Sequence, residues 1–248
     1  MTWRPGTRGP PAGPICVTAM LAALGACAPV TRGLKADLAA GSYERVIQDG
    51  RLWLSENAVA AKGEKAQLAS EVARLVAEAE LGQARRADQP GALRAYRARY
   101  EGWRGYADLV AAARAANAEV EFRKEVAASA SIERLRAFRA EFPGTPEAAK
   151  ARALEVGLAE AAAREAATVE SERAFRDSYS EWQEAGPAIA RSRAREVPLA
   201  LEAAKGDEQR LVAFQAEYRG WPEATEALAS ARAAEAALAL AAAGDDVE

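Results

Sequence analysis

The chain has 248 residues, half of them apolar, with 33 basic and 36 acidic side chains and a formal charge of −3. That length suffices for one domain or one repeat array, and a mild, mixed charge without a basic block gives a nucleic-acid partner no electrostatic support. Histidine is absent and both cysteines, Cys16 and Cys27, lie in the first 27 positions. Imidazole triads and histidine metal sites are therefore excluded, as is thiolate chemistry downstream of Cys27. Alanine supplies 66 residues. It is the best helix former, whereas sheets favour β-branched and aromatic residues, so the composition predicts an all-α chain.

Residues 1–26 read as a signal segment that is removed. Arg4 and Arg8 give a positive start, and Ile15 to Leu24 form an apolar run of ten residues, too short to span a bilayer. The run ends in Leu24-Gly25-Ala26-Cys27, which resembles the lipobox of bacterial lipoproteins: a leucine three residues before the cysteine, then two small residues. The resemblance implies that diacylglycerol is attached to Cys27, that cleavage precedes it, and that the new N-terminus is acylated. Two or more acyl chains make a stable anchor where one does not. No other cofactor and no metal is expected. The mature chain would then hold neither free thiol nor disulfide and must cohere by packing alone. Ala28 in place of aspartate implies, by resemblance to enterobacterial sorting, the outer membrane in preference to the inner one. An ordinary signal peptide cut nearby and an uncleaved anchor are the alternatives.

After a tether over residues 27–33, residues 34–87 are expected to form a divergent first helix pair. One helix leads from Ser42-Tyr43 through Trp53 and Leu54. The second runs from about Gly63 to Ala87, with Leu68, Val72, Leu75, Val76 and Ala79 forming an amphipathic stripe.

Residues 88–243 carry a repeat. Four segments share an apolar-x₂-aromatic-x₃-aromatic-x₂-Trp/Thr pattern: Leu93/Tyr96/Tyr100/Trp103, Leu135/Phe138/Phe142/Thr145, Phe175/Tyr179/Trp182 and Leu211/Phe214/Tyr218/Trp221. In the third, Glu172 stands where the apolar residue belongs. The first aromatics follow one another at 42, 37 and 39 residues, and the motifs hold 11 of the 16 aromatic side chains, too many for scattered placement. Spacings of three and four put these residues on one helical face, which assigns them to the core.

Each motif is followed by a turn, and after the last three it holds a proline: Pro143-Gly144-Thr145-Pro146, Gly186-Pro187 and Trp221-Pro222; Asp88-Gln89-Pro90-Gly91 precedes the first motif. Thr145 is positioned to cap a helix that starts at Pro146. These prolines exclude a continuous coiled-coil spacer. The unit is a short helix of about 12–15 residues, a turn and a helix of about 20, whose apolar stripe is buried only by stacking on its neighbours. A kink or break is expected near Val197, before Pro198, and a frayed tail over residues 244–248.

From about residue 88 to 240 the chain resembles tetratricopeptide-like arrays, and among them the periplasmic variety with an aromatic-Pro-x-Ser/Thr turn. Phe142-Pro143-Gly144-Thr145 carries that turn, and Ala148 and Ala151 the small-residue spacing that follows it. Repeats of this kind occur in the outer-membrane lipoprotein of the β-barrel assembly machinery and in the periplasmic cell-division coordinator. The resemblance implies a right-handed solenoid of antiparallel helix pairs, non-catalytic, whose groove holds a peptide or helix of an envelope protein. Only one unit has the Phe-Pro pair, the Trp-x₂-Leu-Gly-x₂-Tyr signature is absent, and the period exceeds the usual roughly 34 residues. The resemblance therefore transfers fold and adaptor role, and no binding residue.

Two other readings stay open. Trp103, Trp182 and Trp221, recurring at the turns, would suit a glycan- or peptidoglycan-binding lipoprotein. A lipid-linked hydrolase would have to work with carboxylates alone, since no nucleophile-elbow, phosphate-loop or dinucleotide-binding glycine motif occurs. The acids themselves are expected to face solvent or to pair along their own helix, as Glu71 with Arg74 and Glu160 with Arg164.

Overall fold

The computed structural model describes residues 30–58 and 62–245. The signal segment 1–26, the lipobox residues Leu24, Gly25 and Ala26, and Cys27 lie outside the described residues. The described residues contain helices and no strand, and they divide between Val120 and Glu121 into two compact units.

In the first unit, helix α1 covers residues 30–39. It begins inside the expected tether because Val30, Leu34 and Leu38 recur every fourth residue and pack against the next pair, α2 (Tyr43–Asn57) and α3 (Glu64–Ala87). The expected first pair is thus a three-helix cluster around Val46, Ile47, Val72 and Leu75. Two glycines let its helices close: a Cβ on Gly50 would meet the Val76 side chain at 2.4 Å, and one on Gly82 the Tyr43 ring at 2.4 Å. The chain turns at Asp88, and Pro90 opens α4 (Pro90–Tyr100) at the first helical position, where its missing N–H costs nothing. Helix α5 (Ala107–Glu121) adds Leu109, Ala113 and Val120 to the core around Leu93, Tyr96 and Tyr100.

The second unit opens with a π-helical turn, Phe122–Val126, and a 3₁₀ turn, Ala127–Ser129. Three pairs follow: α6 (Ile132–Glu141) with α7 (Pro146–Ala166), α8 (Val169–Tyr179) with α9 (Gly186–Ala204), and α10 (Glu208–Glu217) with α11 (Thr225–Asp245). Each helix packs on the next in sequence, and α9 also touches α7 and α11, so the pairs repeat side by side. Ser131, Thr145, Thr168 and Asp207 each accept a backbone N–H at a helix start, with Thr168 and Ser171 completing a reciprocal capping box. These caps begin the short helices late enough that α6, α8 and α10 have only 10 or 11 residues.

Helix α9 runs unbroken through Pro198, contrary to the expected break near Val197. Pro198 and Ala194 are both exposed, so water can satisfy the carbonyl that proline leaves unbonded, while buried Val197 and Glu196 hold the helix in place. Helix α11 likewise continues to Asp245, past the expected start of fraying.

Helix α7 ends at Ala167, an exposed alanine in the left-handed region at φ +49°. That conformation costs an L-residue about 1–2 kcal/mol, against roughly 0.4–1 kcal/mol of unfolded-chain entropy that glycine would add. Ala167→Gly is accordingly expected to raise the thermal midpoint slightly. A fall in the midpoint would contradict the left-handed assignment.

Candidate interaction surface

The repeated aromatics lie in the interior of each unit. Leu93, Leu135 and Leu211 are fully buried, as are Tyr96, Tyr100, Phe138, Phe142, Phe175, Tyr179, Phe214 and Tyr218 to within a few per cent. Within each short helix the two rings meet, at centroid distances of 4.8 Å in α4, 5.4 Å in α8 and 4.7 Å in α10. A four-residue spacing stacks them along one face.

The three tryptophans are not equivalent. Trp182 stands edge-on to Tyr179 and Trp221 to Tyr218, each at 5.0 Å. Arg139 lies 4.4 Å over the Trp182 ring, and Arg176 and Arg193 lie 5.2 and 5.3 Å over Trp221. These are cation–π contacts within the fold. Trp103, in contrast, is 57% exposed.

Sequence reading missed a set of buried carboxylates. Glu155 is 1% exposed, and Glu172 and Glu196 are fully buried. On α7, Glu155 accepts from Arg136 at 2.7 Å, from Arg139, and from the Tyr179 hydroxyl at 3.2 Å. On α9, Glu196 accepts from Arg173 at 2.8 Å and from the Tyr218 hydroxyl at 2.6 Å, and pairs with Arg176. The plan is the same each time. A carboxylate on the long helix takes two arginines from the short helix of its own pair, and the tyrosine hydroxyl of the following pair closes it.

In the first unit Glu80 of α3 takes Arg51 from α2, Arg99 at 2.8 Å and the Tyr100 hydroxyl at 3.0 Å. The last pair keeps only a remnant: Gln215 donates to Glu235 at 2.5 Å, and Val212 stands where the preceding arginine would be. Glu172, at the anomalous apolar position, is gripped by Arg195 through two bonds of 2.7 and 3.1 Å.

The expected pairs along one helix are not the ones formed. Glu71 binds Lys35 at 2.6 Å, while Arg74 reaches Glu78 and Asp108. Glu160 takes Arg191 at 2.7 Å and Arg195 at 3.1 Å from α9. Helix-to-helix packing brings two guanidinium groups onto Glu160, and their several donors match carboxylate geometry better than a single arginine one turn away.

Burial by itself would raise the Glu196 carboxyl, but hydrogen bonds from Tyr218, Arg173 and Arg176 outweigh it and hold it below the ordinary range. Burial, then Glu196, pushes the Tyr218 hydroxyl up to about 12. Arg191, then Arg195, lower the Glu160 carboxyl against its own burial. For both glutamates the unfolded chain binds protons first on acidification. Their stabilisation is full above the unfolded value, near pH ~4.3, and is lost as the pH falls through the lower folded values. Thermal midpoints recorded from pH 7 down to 3 should drop most steeply at the acid end; a flat profile would contradict this.

Among the described residues no group of three or more potential ligands could hold a metal ion, and no helix is long and apolar enough to cross a membrane. The deepest carboxylates, Glu155, Glu172 and Glu196, are committed to guanidinium groups. The open recesses are lined by arginine as well. A cleft of about 520 Å³ on α2, α3 and α4 has Arg51, Arg99, Glu80 and Tyr96 in its wall and alanines of α3 and α4 as its floor. A second, of about 480 Å³, has Arg45 and Arg86 and shares Gln83 with the first. In the second unit Arg136, Arg139, Arg152 and Trp182 line a recess of about 320 Å³. No protein-family model, no curated protein and no solved structure matches the chain.

Proposed function

We propose that this chain is a bacterial lipoprotein, acylated at Cys27 and facing the periplasm from the outer membrane. Its helix pairs form a tetratricopeptide-like right-handed solenoid that serves as a non-catalytic adaptor for envelope proteins. The observation that carries the adaptor reading is the division of labour among the charged groups. Deep carboxylates are spent on joining helices, and arginine-lined clefts remain open on the surface. The anchor rests on the Leu24-Gly25-Ala26-Cys27 sequence. Cys27→Ala is expected to move the protein from the membrane to the soluble fraction; firm membrane retention of that variant would overturn the anchor. Cross-linking in cells followed by mass spectrometry is expected to capture envelope proteins, and recovery of none would overturn the adaptor role.

Exposed Trp103 favours a second reading, glycan binding, at one site in place of three. A titration with peptidoglycan fragments would then quench or shift its indole fluorescence, and Trp103→Phe would remove the response. An unchanged spectrum would exclude it.

A further inference from the structure

Resting on the adaptor reading, we propose that the two neighbouring clefts of the first unit bind an internal acidic segment of a partner protein. Its side-chain carboxylates would meet Arg51 and Arg99 in one recess and Arg45 and Arg86 in the other, with small apolar side chains between them on the alanine floor.

Charge carries the argument first. Four guanidinium groups line the two recesses, against the carboxylates of Glu44 and Glu80. Arg51 and Arg99 share the single carboxylate of Glu80, yet their side chains stay 56% and 57% exposed, so each keeps donors open to the cleft. Arg45 is tied only loosely to Asp37, at 3.4 Å, and Arg86 donates to the Gly41 carbonyl at 3.2 Å. Arg51, Arg86 and Arg99 are therefore each held by a partner while retaining donors, and Arg45 is the freest of the four. Fixed, spaced guanidinium groups suit spaced carboxylates better than the diffuse charge of a lipid surface.

A second observation concerns the lining between the arginines. Ala84 and Ala87 on α3 and Ala92 and Ala95 on α4 line the larger cleft, and their short side chains leave room for small side chains of a bound segment. Because the two recesses share Gln83 in their linings, a single chain that fills both must run past that residue. This favours acids within a segment over a terminal carboxylate.

The test uses the purified full chain and fluorescence anisotropy. The probe is a dye-labelled, C-terminally amidated octapeptide of alternating glutamate and alanine; a glutamine–alanine peptide and vesicles containing phosphatidylglycerol are the comparisons. The acidic peptide is expected to bind at least tenfold more tightly than the glutamine peptide, and to weaken as salt is added. Arg51→Gln should cost at least tenfold. So should Ala95→Glu, which puts a repelling charge on an exposed floor position and removes no existing bond. Circular dichroism of both variants checks that the helices persist.

Equal binding of the two peptides would overturn the charge assignment while leaving the adaptor reading intact. Unchanged affinity in a folded Ala95→Glu variant, or no binding of either peptide, would overturn the cleft. Vesicle binding that falls in both variants while no peptide binds would reassign the surface to lipid and overturn the proposal.

Discussion

Phe138→Ala is expected to lower the unfolding free energy by roughly 3–5 kcal/mol. The ring is 3% exposed and sits between Phe122, at 5.6 Å, and Phe142, at 4.9 Å. Leu135 and Phe142, on the same face of the chain, are fully buried. Removing the ring deletes its transfer free energy and leaves a cavity that these packed neighbours cannot fill by a simple rotamer change. Urea denaturation monitored by circular dichroism measures the loss. A change below about 1 kcal/mol would mean that the aromatic face contributes little to packing.

Glu196→Ala should be comparably severe, at roughly 3–5 kcal/mol, for a different reason. The substitution leaves the buried Tyr218 hydroxyl accepting from Arg173 at 3.0 Å but without the acceptor for its own proton. It also removes the carboxylate from Arg176, whose side chain is 14% exposed and keeps only Ser192 at 3.4 Å and the face of Trp221. Arg173, 40% exposed, can rehydrate, which moves the expectation toward the lower end. Replacing the whole cluster tells the two costs apart. Glu196→Leu combined with Arg176→Met and Tyr218→Phe removes the polar groups together, and is expected to recover most of the stability lost by Glu196→Ala. If the triple variant is no more stable than the single one, the loss comes from packing and not from stranded charge.

The aromatic repeat was legible because bulky apolar residues at helical spacing have few alternatives to burial. Tyr96, Phe138, Phe175 and Phe214 mark the four short helices, and Thr145-Pro146 marks a helix start from cap chemistry alone. The buried glutamates were not legible. On alanine-rich helices glutamate is common and ordinarily solvated, so nothing in the sequence separates Glu155 or Glu196 from Glu165 or Glu202. The arginines left a fainter trace: Arg136 and Arg139, then Arg173 and Arg176, flank the first aromatic of their motifs in the same way. An arginine beside a buried ring has its stem at the helix interface and its head within reach of the neighbouring helix.

Glu172 looked like a flaw in the repeat and is instead a carboxylate held by Arg195. Helix α1 escaped notice because Val30, Leu34 and Leu38 are too few to define a period without the pair they pack on. The clefts of the first unit depend on which residues three helices bring together, and Arg51, Gln83 and Arg99 are too far apart in the chain for spacing to reveal it.

A double-mutant cycle on Glu196→Gln and Tyr218→Phe tests most directly whether successive helix pairs of the second unit are joined by carboxylates shared across their boundary. The two residues lie on different pairs and meet through one hydrogen bond of 2.6 Å. A coupling energy of about 1–2 kcal/mol between the substitutions is predicted. Additivity within about 0.3 kcal/mol would contradict it at this boundary.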